Sequence, residues 1–189
     1  VALELGCGVG RLLRASSARF EKVVGFDVSQ QAIAEAQRLL ADLPQVKPTL
    51  GNGVDLQPLA DASIDFAYSF AALSSMPVPV IARYLFELSR VLRPNAVARL
   101  QVYLGHEQDT VVEDTIAIRS FDEECFCQAI KGCGFELEGS FELVLPFEIS
   151  DRDAGLVAMI VSLRKIAEPS VSIDEVEKLL SQQPEKAAA

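Results

Sequence analysis

Three glycines stand at alternate positions in Glu4-Leu5-Gly6-Cys7-Gly8-Val9-Gly10, directly after an apolar run at residues 1–5 and directly before a helical stretch over about 10–20. Such spacing lets the backbone turn sharply, approach a ligand closely and leave N–H groups free where the helix starts. A strand that enters a helix through a loop of this kind belongs in an open parallel sheet, where ligands bind beyond the carboxyl ends of the strands. Asp27 closes a second apolar run at 22–27 and lies seventeen positions after Gly10. A carboxylate there is placed to accept hydrogen bonds from both hydroxyls of a ribose. The loop reads G-x-G-x-G followed by Arg11, whereas a dinucleotide fingerprint reads G-x-G-x-x-G. The pattern therefore points to a nucleoside without a pyrophosphate.

Strand-like and helical stretches alternate along nearly the whole chain. Ser29 caps a helix that carries Ile33, Ala36 and Leu40 on one face, and a strand follows at 46–50 before the loop Gly51-Asn52-Gly53. Residues 64–70 form a fourth strand. Residues 78–92 form a helix with Ile81, Leu85, Leu88 and Leu92 on its buried side, stopped by Pro94. A fifth strand covers 97–104, and Ser120 with Glu123 gives a capping-box signature for a helix ending at Gly134. Residues 135–147 and 156–163 are consecutive strands with no helix between them, hence antiparallel.

The fold class this implies is α/β: a Rossmann-like three-layer sandwich with a mostly parallel seven-stranded sheet and an antiparallel terminal strand pair. Residues 1–166 form one domain. Residues 167–189 form a polar C-terminal helix and tail, with Ser172 and Glu175 as the cap and Ile173, Val176 and Leu180 on a stripe.

Composition narrows the function. Lys and Arg number 17 against 27 Asp and Glu, a net charge of -10 over 189 residues. That balance disfavours nucleic acid and anionic membranes as partners, and no apolar run reaches the roughly 18 residues of a membrane-spanning helix. His106 is the single histidine, so a site of several imidazoles is impossible, and no metal site is expected. Cys125, Cys127 and Cys133 fall in one helical stretch that scatters their sulfurs, while Phe126, Ile130 and Cys133 share a face. Reduced structural thiols in a cytoplasmic protein are the expectation. The chain opens at Val1 on a strand residue and shows no signal peptide, so the expectation is that preceding residues are missing.

The segments LELGCGVGR, VVGFDVS, GNGVDL, ASIDFAYSFAALSSMP and RVLRPNAVARLQV follow one another as the successive motifs of class I S-adenosylmethionine-dependent methyltransferases do. The chain resembles that family from residue 1 to about 163. The resemblance implies S-adenosyl-L-methionine as cofactor and methyl transfer to O, N or C of a small-molecule acceptor. It implies that the loop of Glu4, Gly6, Cys7, Gly8 and Gly10 wraps the methionine moiety and that Asp27 holds the ribose hydroxyls. Val28 would pack on the adenine, Asn52 would meet its amino group and the Gly53 N–H a ring nitrogen. Ser69 would face the cofactor near the transferable methyl.

The departures from the family pattern matter too. Many relatives have Asp where Asn52 stands, and Arg93-Pro94-Asn95-Ala96 replaces the usual RPGG. Leu73-Ser74-Ser75-Met76-Pro77 replaces a histidine-bearing LHHLP, so any base supplied there is absent. His106, after the fifth strand with Glu107 and Asp109 nearby, is the candidate general base, against the plainer reading of a surface loop histidine. Asp61 and Asp65 read as turn and cap residues, Tyr68, Tyr84 and Tyr103 as core, and Arg83, Arg90 and Arg93 as a solvated flank. Two other functions share the architecture. A nicotinamide-dependent oxidoreductase is disfavoured by the glycine spacing and by the lack of a Tyr-x-x-x-Lys pair; a non-catalytic S-adenosylmethionine-binding module is kept open by the lost histidines. Oligomeric state is not legible.

Overall fold

The computed structural model describes residues 1–105, 119–139, 142–143 and 156–182. Strands β1 (Ala2–Leu5), β2 (Val23–Asp27), β3 (Val46–Leu50), β4 (Ile64–Ser69) and β5 (Leu92–Gly105) pair in parallel. Between them run helices α1 (Arg11–Ser16), α2 (Gln30–Leu39) and α3 (Val78–Val91). A short strand β6 (Ser120–Phe121) pairs in parallel with the end of β5 and leads into helix α4 (Glu123–Gly132). Strands β7 (Phe135–Leu137), β8 (Glu142–Leu143) and β9 (Leu156–Lys165) complete the sheet, with β9 antiparallel to β5, β7 and β8. Helix α5 (Ile173–Leu180) follows. The main path runs β3-β2-β1-β4-β5-β9-β7, seven strands with an antiparallel terminal pair, as the alternation implies.

Helices cover both faces because the strands are apolar on both. In β1, Leu3 and Leu5 point into the core beneath α3, α4 and α5, while Ala2 joins Leu13 of α1 and Ile33 and Ala36 of α2 on the opposite face. This is the period of two expected of a strand buried on both sides. Phe126, Ile130 and Cys133 are all buried, as their helical spacing requires. All four cysteines are free thiols, and no cluster of three potential metal ligands occurs among the described residues. No helix among the described residues is long and apolar enough to cross a membrane.

Several local features differ from the sequence expectation. Helix α1 ends at Ser16, well short of residue 20. Ser120 does not cap α4: it pairs with Tyr103 in β6, and Asp122 takes the N-cap, accepting from the Cys125 N–H at 2.9 Å. Within residues 135–147 the described strand segments are the separate β7 and β8. The capping box of α5 forms as its sequence implies, with Ser172 and Glu175 each accepting from the other's backbone N–H. Val176 and Leu180 then bury against the face shared with α3 and α4.

Candidate functional site

The glycine loop sits at the carboxyl end of β1. Gly6, Gly8 and Gly10 all adopt positive φ, at 72°, 52° and 84°. The N–H groups of Gly6 and Cys7 both donate to the Phe26 carbonyl, at 2.8 and 3.1 Å, so the loop is pinned to the end of β2. Asp27 extends that anchorage. Its Oδ2 accepts from the Gly8 N–H and its Oδ1 from the Ser29 N–H, each at 2.8 Å. One carboxylate thus ties the loop to the start of α2, and each of its oxygens keeps acceptor capacity for a further donor.

Beside Asp27 opens a cavity of about 440 Å³, within the range of roughly 300–1,000 Å³ typical of small-molecule sites. Leu5, Gly6, Phe26, Asp27, Val28 and Gly53 form one part of its wall, and Ala71, Ala72, Ser75, Met76, Pro77, Val80 and Tyr84 the rest. The second group is held by two local devices. Gln101, buried on β5, accepts from the Ala71 N–H at 2.9 Å and fixes the chain as it leaves β4. Pro79, in the first turn of α3, starts that helix without leaving an orphan N–H. The two sides come very close: a Cβ on Gly6 would lie 2.2 Å from that of Ala72.

Among the described residues the wall is largely apolar, with one carboxylate and no Lys, Arg or His. That donor set fits an adenosyl group bearing a cationic sulfonium: a ribose for the carboxylate, apolar surface for the base, and no positive partner for a pyrophosphate.

Of the residues singled out by sequence, the cavity brings together Gly6, Asp27, Val28 and Gly53. Val28 is 64% exposed, and its Cγ1 lies 3.3 Å from where a Gly53 Cβ would stand, so these two residues face each other. Gly8 adjoins the cavity through its bond to Asp27, and Gly10 caps α1. Cys7 turns its side chain into the core beside Leu13, which leaves its backbone to the loop. Burial, with the charges of Glu4 and Asp27, pushes its thiol up to about 12.

Three of the residues have local partners instead. Ser69 is buried and donates to the Leu5 carbonyl at 2.9 Å, joining β4 to β1 away from the cavity wall. The Asn52 side-chain oxygen accepts from the Val54 and Asp55 N–H groups at 2.8 and 3.0 Å, shaping its own loop. Glu4 lies beneath the glycine loop, 3% exposed, accepting from the Tyr68 hydroxyl at 3.3 Å, which in turn accepts from Ser16 at 2.8 Å. Burial pushes the Glu4 carboxyl up to about 8, against the pull of the Tyr68 hydrogen bond and with added repulsion from Asp27. His106, Glu107 and Asp109 lie outside the described residues.

Tyr84 was the less visible member. The sequence reads it as core, and it is 5% exposed, yet it also lines the cavity. Its hydroxyl has no hydrogen-bond partner among the described residues; burial and the charges of Asp55 and Asp27 push it above the ordinary phenol range. Its signal was helical spacing. Val80 and Tyr84 are four apart, so the stripe of α3 that carries one cavity residue carries the other.

Residues 2–95, from β1 into β5, match the model of a methyltransferase domain. An uncharacterized 37.1 kDa protein in transposon TN4556 of Streptomyces fradiae is 29% identical over 203 aligned residues, covering 96% of this chain and 55% of that protein. The chain thus spans about half the length of the curated relative it matches. Among solved structures, an S-adenosylmethionine-dependent methyltransferase from Mesorhizobium loti superposes with a TM-score of 0.71 at 18% identity, covering 86% of this chain and 90% of that one. The [4+2]-cyclase SpnF superposes at 0.70 with 20% identity, covering 88% and 75%. A methyltransferase-domain match that starts in β1, passes through the glycine loop and Asp27 and ends in β5 makes the chain a member of the class I S-adenosylmethionine-dependent methyltransferase family.

Proposed function

We propose that the protein transfers a methyl group from S-adenosyl-L-methionine to O, N or C of a small-molecule acceptor. The observation that carries this reading is the cavity itself, with the Asp27 carboxylate in a largely apolar wall to which the described residues contribute no cationic side chain. When bound, the cofactor supplies a methyl group already activated on a sulfonium. The chain's task is then to bind, orient and exclude water. Asp27 accepts from the ribose hydroxyls with the acceptor capacity its two backbone contacts leave free. Val28, Gly53 and Tyr84 flank the base. The glycine loop, held by Phe26 and Asp27, meets the methionine end, with Glu4 beneath it.

Ala71, Ala72 and Ser75 to Pro77 form the side toward the acceptor, which enters past the carboxyl ends of β4 and β5. A general base is needed only for an acceptor that arrives protonated, and His106 is the proposed one. The acidic chain favours an acceptor other than nucleic acid, and the free thiols suit a cytoplasmic setting.

The test is calorimetric titration with S-adenosylmethionine, S-adenosylhomocysteine and NADH in parallel, followed by an acceptor screen with labelled methyl donor. Binding of the first two without NADH supports the proposal; binding of NADH alone overturns it. The fold likeness to a protein described as a [4+2]-cyclase supports a second reading, a cofactor-holding module that transfers no methyl group. Tight cofactor binding with no transfer to any acceptor screened would favour it.

A further inference from the structure

Arg119 lies where the acceptor side of the cavity meets the end of β5. Its N–H donates to the Ser74 carbonyl at 2.9 Å, and the next residue of that turn, Ser75, is part of the cavity wall. Ser120, directly after it, pairs with Tyr103 near the end of β5, so Arg119 stands at the carboxyl edge of the sheet. Its Nε is buried and has no hydrogen-bond partner among the described residues. Five arginines among the described residues instead have carboxylate partners: Arg14 pairs with Asp42, Arg38 with Glu35, Arg90 with Glu87 and Asp61, Arg93 with Asp65, and Arg164 with Glu138.

The described residues give Arg119 no ion pair, although carboxylates outnumber cations in this chain of net charge -10. Desolvating a guanidinium Nε–H with nothing to receive it is costly, and such a group is complete only when a ligand supplies the acceptor. The planar fork of a guanidinium matches a carboxylate or a phosphate in two-point contact.

We propose that Arg119 docks an anionic group, carboxylate or phosphate, on the methyl acceptor, so that the acceptor is a small organic anion. This rests on the reading of the neighbouring cavity as the cofactor site. The arrangement separates charge in a useful way. Asp27 lies at the nucleoside end of the cavity and Arg119 beyond the turn that ends in Ser75, so a cationic cofactor and an anionic acceptor each meet the opposite sign.

The experiment uses the ¹⁵N-labelled chain saturated with S-adenosylhomocysteine, with the Arg119 Nε–H signal assigned by its loss in Arg119→Lys. Sodium phosphate and sodium benzoate are titrated separately at constant ionic strength, so that the two arms tell a phosphate-bearing acceptor from a carboxylate-bearing one. Saturable movement of the Arg119 signal with either anion is expected. Arg119→Gln, which should bind S-adenosylhomocysteine as the parent does, should bind that anion at least about tenfold more weakly. A signal that neither anion moves, or equal anion binding by Arg119→Gln, overturns the proposal. Failure of S-adenosylhomocysteine to bind the parent chain would overturn the cofactor reading instead, and the same titrations without it still report on Arg119.

Discussion

The Gly8 N–H donates to Asp27 Oδ2 at 2.8 Å, so the residue proposed to hold the ribose also holds the loop proposed to wrap the methionine. Ser29 occupies the other oxygen, at the start of α2. Removing this carboxylate therefore acts twice, on the ligand directly and on the shape of the loop that receives it. Asp27→Ala should lower S-adenosylhomocysteine affinity by at least about a hundredfold, since hydrogen bonds to a charged group contribute roughly 1.5–3 kcal/mol each. Calorimetric titration of the purified variant reads this directly. An affinity within about threefold of the parent would remove Asp27 from the ribose.

Tyr84 gives a cleaner separation of binding from folding. Its ring is buried in the core, the residue also lines the cavity, and its hydroxyl has no hydrogen-bond partner among the described residues. Tyr84→Phe keeps the ring and deletes only that hydroxyl. Stability should change by less than about 0.5 kcal/mol, because no protein hydrogen bond is lost. Cofactor affinity should fall by about three- to tenfold, the size of one neutral hydrogen bond. Urea unfolding and calorimetry on the same preparation check both halves, and unchanged affinity would show that the ligand makes no use of the hydroxyl.

The same residues show how far the sequence could be read. The glycine loop, Asp27 and the strand alternation were legible because they are local patterns with one physical solution. The capping box of Ser172 and Glu175 was legible for the same reason. Ser120 and Glu123 carry an equally good local signature, yet pairing with Tyr103 draws Ser120 into β6 and Asp122 caps the helix. A tertiary contact overrode a local one. The cavity wall beyond β4 was not legible, because Ala71, Met76, Val80 and Tyr84 have the same apolar character whether they face a core or a ligand. Ser69 and Asn52 were picked out by the family resemblance, and nothing in a linear pattern reports that the Ser69 hydroxyl donates to the Leu5 carbonyl or that the Asn52 side-chain oxygen accepts from its own loop backbone.

Glu4 sets a pH dependence with a definite sign. Burial pushes its carboxyl up to about 8 in the folded chain, from 4.5 when it is solvated. Between those two values the native state holds a proton that the unfolded state has lost, so stability must fall as pH rises. The contribution is fully present below the unfolded value and disappears as pH passes the folded one. Glu4→Gln is neutral at every pH and can still accept from the Tyr68 hydroxyl. The parent minus variant difference should therefore slope downward from about pH 5 to 8, by no more than about 1.4 kcal/mol per pH unit. Urea midpoints measured across that range test it; parallel curves for the two proteins would mean that Glu4 is solvated.

Gly6 and Gly8 share positive φ but not their surroundings, and this separates backbone strain from steric contact. A Cβ at Gly8 meets nothing within 4 Å, whereas one at Gly6 would lie 2.2 Å from the Ala72 Cβ. Gly8→Ala should cost about 1–2 kcal/mol, the left-handed penalty alone. Gly6→Ala carries the same penalty and must also push the glycine loop away from the turn after β4, a movement resisted at Ala71 by Gln101. It should cost more than about 3 kcal/mol and open the cavity at its narrowest junction. Urea unfolding ranks the two variants, and S-adenosylhomocysteine binding should be abolished in Gly6→Ala while surviving in part in Gly8→Ala. Equal destabilisation would mean that the loop and the turn can part freely, and the close approach at Ala72 would then play no part in shaping the site.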